Sequence, residues 1–358
     1  MTKDKSIFIK NIYYMLSYAF SALRMSVYEE IRTEPFDNIH NLFAAILAKG
    51  IGHQIRQGLY REYISRTEAL PVVRGKINLP ETMKNRFRSS LTVTCDYDEL
   101  SENNLLNQIL KTTAFLLLRQ KNVEEKYRSQ MKREMLYFSE VDFTDLSQIK
   151  WGSIRYQKNN QTYQMLLALC QLLATGMLMT TESGEQYLAS FIDEQRMSRL
   201  YEKFILEYYL QEFAQPIKGF SAGAAQISWN LDDGYDALLP VMQSDILLAY
   251  GTKTLIIDAK YYQRTMQKNY DVSTLHSANL YQIFTYVKNK QENFKGTGHQ
   301  VSGMLLYAKT DEDLLPDNVY QMSGNQISVK TLDLNQEFSK IAAQLDRIVK
   351  EHFEISRL

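Results

Sequence analysis

Asp245, Asp258 and Lys260 are charges set among apolar neighbours. They lie in SDILLAYGTKTLIIDAKYY, residues 244–262, where Asp245 opens one apolar run and Asp258 and Lys260 interrupt a second. Charges are expensive in such surroundings, so their placement calls for a chemical reason. If Gly251-Thr252 forms a two-residue hairpin loop, which Gly at its first position favours, Tyr250 faces Lys253, Ile246 faces Ile257 and Asp245 faces Asp258. Facing residues share one side of the sheet, with Cβ atoms roughly 4.5–5.5 Å apart. Lys260, two residues beyond Asp258, shares that side. Two carboxylates so close repel unless a cation sits between them. Lys260 offsets part of the repulsion, and the paired oxygens suit Mg2+ or Mn2+. D-x-K by itself is a common surface salt-bridge pattern. Here, however, the strand is apolar on both sides of the charges, as a central strand is. The next helix then places Gln282 and Tyr286 at i, i+4 on one face.

The elements that must hold these residues follow from periodicity. Residues 8–26 and 41–57 carry apolar residues at helical spacing. Between about 60 and 95, short β-prone runs punctuated by Pro71, Gly75 and Pro80 predict a small β-rich insertion. A helix is expected over about 101–121, capped by Ser101, and helical pattern continues to about 180. TTESGEQY, residues 180–187, is a polar break. The expected division is therefore 1–180 and 181–358. The second part reads as a helix over 193–213, the hairpin, a helix over 273–291, strands at 298–310 and 320–334, and a helix over 335–353. That alternation is an α/β pattern.

Asp245, D-A-K at 258–260 and Q-x-x-x-Y at 282–286 resemble the PD-(D/E)xK nuclease superfamily in its RecB-like form. IKNIYYMLSYAF, KGIGHQIRQGL, RGKI, LYEKFILEYY and HSANLYQIFTYV extend the likeness over nearly the whole chain to the McrC family, the nuclease subunits of McrBC modification-dependent restriction systems. One departure is Ser244, where the superfamily motif has Pro before its first Asp; Pro240 lies upstream. The resemblance implies a restriction-endonuclease-like α/β domain preceded by a mainly helical domain. It implies Asp245 and Asp258 as ligands of Mg2+ or Mn2+, with the Ala259 backbone carbonyl as a third. Lys260 would orient or activate the attacking water, and Gln282 and Tyr286 would position the site. Glu202, in LYEKF, matches an acid that the superfamily often supplies from the preceding helix; from the residues alone it is equally an exposed acid paired with Lys203 or Arg199. Tyr286 is likewise readable as plain packing on the sheet.

The resemblance further implies Mg2+-dependent hydrolysis of double-stranded DNA and docking of the N-terminal half on a hexameric McrB-like AAA+ GTPase. That partner would bind the GTP and read the modified cytosine. The alternative is a non-catalytic regulator that only stimulates the partner. Lys84, Arg86 and Arg88, clustered around Phe87, are the candidate docking residues, although a solvated loop also explains them.

Bulk properties set limits. The chain has 358 residues, 45% hydrophobic and 23% charged, which suits two globular domains. Lys+Arg and Asp+Glu both number 41, so the chain lacks the overall basic charge of a protein that grips nucleic acid by charge alone. Cys95 and Cys170 form no metal-binding pattern, and a reduced, cytoplasmic setting is expected. LLALCQLLATGMLM, residues 166–179, is too short for a membrane span and reads as a core helix. No G-x-x-x-x-G-K-[ST] occurs, so nucleotide hydrolysis by that route is excluded here. Asp96, Asp98, Glu99 and Glu102 read as acids at a helix N-terminus. His276 reads as packing at the start of the Q-x-x-x-Y helix.

Overall fold

The computed structural model describes residues 3–4, 7–156, 161–183, 194–233, 237–261, 266–269, 272–309 and 316–355. In chain order its main elements are α1 (Ile9–Ala19), α2 (Ile39–Gln57), β1 (Glu62–Leu70), β2 (Lys76–Ile77), α3 (Leu79–Phe87), β3 (Val93–Ser101), α4 (Leu105–Arg119), α5 (Glu125–Met135), α6 (Gln161–Ser183) and α7 (Glu194–Tyr209). There follow β4 (Ser221–Ile227), β5 (Met242–Tyr250), β6 (Lys253–Lys260), α8 (Ser277–Glu292), β7 (Gln300–Ala308), β8 (Asn318–Met322), β9 (Asn325–Leu332) and α9 (Phe338–Phe353). Two compact units emerge. One comprises residues 1–25, 32–39 and 184–358; the other comprises 26–31 and 40–183. Most of the polar break at 180–187, from 184 onward, lies outside the described residues.

In the second unit, α2 is buried from Leu42 to Ala48 without a solvent face, as a core helix must be. Leu166, Leu167, Leu169, Cys170 and Leu173 of α6 are equally buried. The β-rich insertion is an antiparallel sheet in the order β1-β3-β2. It also contains α3, which the sequence reading missed. The start signals are local: the Asn78 side chain accepts from the Glu81 N–H at 3.3 Å and Pro80 sits in the first turn. Lys84 and Arg86 therefore lie on a helix and Arg88 caps it, rather than in a solvated loop. The expected cap Ser101 ends β3 instead; Asn104 caps α4, accepting from the Asn107 N–H. The acids at 96–99 are strand residues satisfied across the sheet, Asp96 by Thr67 and Asp98 by Ser65, both at 2.7 Å.

The other unit is built on a mixed six-stranded sheet, order β8-β9-β7-β6-β5-β4. β6 runs parallel to β7, β7 parallel to β9, and the remaining neighbours are antiparallel. β6 is central and buried from Thr254 to Ala259. Helix α8 packs on one face, where Ile283, Tyr286 and Val287 meet Ile256, Val301, Leu305 and Ile327. It lies so close that a Cβ at Gly303 would stand 2.8 Å from both Ile283 and Val287. Helix α7 packs on β4, β5 and β6, and α1 packs on α7. Tyr208 and Tyr209 of α7 donate to Asp346 and to the Leu345 carbonyl of α9. Two strands departed from expectation. β4 was not foreseen, because Ser-Ala-Gly-Ala-Ala carries no β-branched signal. The single strand expected at 320–334 is β8 and β9, joined by a turn at Ser323-Gly324 in which both residues have positive φ.

Candidate active site

The hairpin loop fixes the site. Gly251 takes φ 59°, and the two-residue connection registers Tyr250 with Lys253 and Ile246 with Ile257. Asp245 and Asp258 come next, at the end of the paired segment. There the pattern changes in a way the hairpin count does not contain. On its other edge β5 pairs with β4 as Gly223↔Leu247 and then as Ala225↔Ser244. One β4 residue, Ala224, thus opposes two of β5, Asp245 and Ile246. Asp245 sits in a β-bulge, a device that re-aims a side chain. The Ala259 N–H of β6 donates to Asp245 Oδ2 at 2.9 Å.

Asp258 is 1% exposed. Lys260 Nζ lies 2.8 Å from its Oδ2, a close and largely buried ion pair. Burial pushes the Asp258 carboxyl well above the usual carboxylate range; Lys260 opposes the rise and Asp245 reinforces it. Burial also raises Asp245, against the pull of the Ala259 N–H and Lys260. In both, desolvation outweighs the help that Lys260 gives to the charged form.

The flanking helices complete the cluster. Lys260 donates to Gln282 Oε1 at 3.4 Å, and Gln282 Nε2 donates to the Tyr286 hydroxyl at 3.0 Å. Tyr286 both packs in the core and carries this bond. Glu202 of α7 is half-buried, accepts from the Ser198 hydroxyl at 2.9 Å, and is raised by burial and then by Asp245. Lys260 and Arg199 oppose that rise, so one of the two expected partners acts on it together with the site, while the Lys203 ammonium lies over the Phe20 ring at 4.0 Å. His276 is the N-cap residue of α8, without a side-chain capping bond. Lys84, Arg86 and Arg88 belong to the other compact unit.

Sequence reasoning missed the β7 flank. Tyr307 is registered with Lys260 and Leu305 with Asp258, and the Tyr307 hydroxyl accepts from Asn279 at 3.0 Å. No local signal links such distant residues; only the parallel pairing of β6 and β7 does.

The donor set suits a hard divalent cation. It offers two adjacent carboxylates, both desolvated by burial, of which Asp245 raises Asp258 further. Among the described residues no three His, Cys, Asp or Glu side chains converge as a complete ligand set. A hard cation held here would draw its remaining positions from backbone oxygen and water, as Mg2+ does readily.

Residues 3–308 match the family described as McrBC 5-methylcytosine restriction system component. A curated relative from Escherichia coli (strain K12), named Type IV methyl-directed restriction enzyme EcoKMcrBC, is 26% identical over 351 residues, 97% of this chain and 98% of the relative. A chain in the solved half-complex of Thermococcus gammatolerans McrB AAA+ hexamers with bound McrC is similar in fold, with TM-score 0.53 and 18% identity. The match covers 96% of this chain and 75% of that one.

Proposed function

Because the chain belongs to the McrBC 5-methylcytosine restriction system component family, we propose that it is the nuclease subunit of such a system, hydrolysing DNA phosphodiesters in the cytoplasm. The observation that carries this reading is the convergence of Asp245, Asp258 and Lys260 at one end of the β5–β6 hairpin, with Gln282 bonded to the lysine. We read the domain as PD-(D/E)xK. Asp245, Asp258 and the Ala259 carbonyl would hold Mg2+ or Mn2+. When bound, the ion would supply Lewis acidity to the scissile phosphate and lower the pKa of its water.

The protein's own groups do the rest. Lys260 holds a positive charge beside the carboxylates, where it can hold the attacking water and offset charge developing on phosphate. Gln282 fixes the ammonium by accepting from it, and its own amide is fixed by the Tyr286 hydroxyl. Glu202 stands near enough to Asp245 to feel its charge, and we assign it to orienting water at the edge of the site.

Partner and substrate are proposed by likeness to the family. The chain has no phosphate-binding loop and no net charge, so a hexameric McrB-like AAA+ GTPase would bind GTP, read the modified cytosine and deliver duplex DNA. We place docking on α3, where Lys84, Arg86 and Arg88 accompany Phe87, which is 86% exposed. Among the described residues no helix is long and apolar enough to cross a membrane. The test is cleavage of methylated DNA by the purified chain with its GTPase, GTP and Mg2+, against Asp258→Ala. Metal-dependent cutting lost in the variant is expected. Stimulation of the GTPase without cutting under any metal would make the chain a regulator only.

A further inference from the structure

We infer that Ser244 is a positioning residue: its hydroxyl closes the bulge that aims Asp245 at the metal-binding position. The inference rests on the reading of Asp245 and Asp258 as metal ligands. The bulge leaves β5 with one residue more than β4 between Leu247 and Ser244. A bulge interrupts the ladder and bends the strand, so its geometry depends on what fastens its ends. At this one, Ser244 Oγ accepts from the Ala225 N–H at 3.3 Å and donates to the Ala225 carbonyl at 3.2 Å. The side chain is 1% exposed, so water does not compete for these bonds.

The fastening is adjacent to the functional carboxylate. On the β6 side, the last registered pair is Ile246↔Ile257; beyond it, Asp245 reaches Ala259 through its carboxylate. The Asp245 backbone is therefore bounded by Ile246 on one side and by the Ser244 clasp on the other. β4 itself offers little side-chain packing there, since its residues at 222–225 are Ala-Gly-Ala-Ala. Without the hydroxyl, the Ala225 N–H and carbonyl lose these partners, and the edge strand can slip relative to β5. The Asp245 carboxylate then keeps its charge and loses its aim.

The experiment uses the full-length chain, with Mn2+ as probe, by titration calorimetry alongside thermal melts. Ser244→Ala and Ser244→Cys, which both remove the hydroxyl, should weaken Mn2+ binding by about tenfold or more, as loss of a supporting partner does at metal sites. Ser244→Thr, which keeps the hydroxyl, should bind within a few-fold of wild type, and folded variants should melt within a few degrees of it. Unchanged Mn2+ affinity in the Ala or Cys variant overturns the inference, as does an equal loss in the Thr variant. If folded wild-type chain takes up no Mn2+, the ligand reading itself falls, and with it this role for Ser244.

Discussion

Ala259 donates its N–H to the Asp245 carboxylate across 2.9 Å, so a side chain of β5 takes a place that a backbone carbonyl would hold in an unbroken ladder. The same aspartate is thereby tied to the strand that carries Asp258 and Lys260. Removing its charge alters both the ligand set and the closure of the hairpin end. Asp245→Asn should keep much of this bond through its amide oxygen and lose cleavage, whereas Asp245→Ala should lose both cleavage and melting temperature. Paired melts and cleavage assays separate the two, and an Asn variant that cuts normally would remove Asp245 from the metal site.

Asp258 bears on stability with a defined sign. Burial raises its folded pKa above the ordinary carboxylate value, so the metal-free fold holds a proton that the unfolded chain releases. The contribution of this group is then fully present below the ordinary carboxylate pKa and is lost as pH rises through the raised one. Asp258→Asn should melt higher than wild type in EDTA at pH 8, and the gain should shrink toward pH 5. A variant that melts lower at pH 8 would show that Lys260 already satisfies the carboxylate.

Lys260→Ala leaves both aspartates in place. Metal binding should persist, while cleavage at saturating metal falls by about 10² or more, as for a lost acid–base or electrostatic group. A near-wild-type rate would reduce Lys260 to an ion-pair partner of Asp258.

His40 and His352 predict acid sensitivity of the opposite sign. Burial lowers both from 6.5 to about 4, and Lys253 adds to the effect at His352. The unfolded chain takes up these protons first, so stability present above the ordinary histidine value drains away as pH falls toward 4. Denaturant midpoints at pH 7.5 and 5 should differ, and substituting both histidines by Gln should flatten the difference. An unchanged slope would assign acid lability to other groups.

The triple change Lys84→Ala, Arg86→Ala, Arg88→Ala should reduce stimulation of the partner GTPase while leaving Mn2+ affinity at Asp245 and Asp258 intact. The control is meaningful because α3 and the carboxylates belong to different compact units. Untouched stimulation would move docking elsewhere.

What the sequence made legible was governed by short-range rules. A two-residue loop with Gly first leaves one register, so Ile246↔Ile257 could be counted from Gly251. The i, i+4 spacing of Gln282 and Tyr286 put them on one helix face, where the structure joins them by a hydrogen bond the spacing alone did not specify. What stayed hidden depended on partners distant in sequence or on weak residue signals. The bulge at Asp245 is set by β4, whose Ala and Gly residues announce no strand. Tyr307 is registered with Lys260 only because β7 runs parallel to β6. Helix α3 was masked by β-prone neighbours although Asn78 and Pro80 marked its start.

Gly303 lies four residues of strand away from the level of Tyr307 and Lys260, yet it faces the helix that carries Gln282 and Tyr286. Helix α8 rests on β7 with no room for even a methyl group there. An alanine at 303 would act as a shim, lifting the helix that carries Gln282 and Tyr286 while Lys260 stays with the sheet. The 3.4 Å contact between Lys260 and Gln282 is already long and has little slack to lose. Evolutionary drift at this position would be felt first at the Lys260–Gln282 contact, with the sheet still intact beneath a helix standing slightly too high.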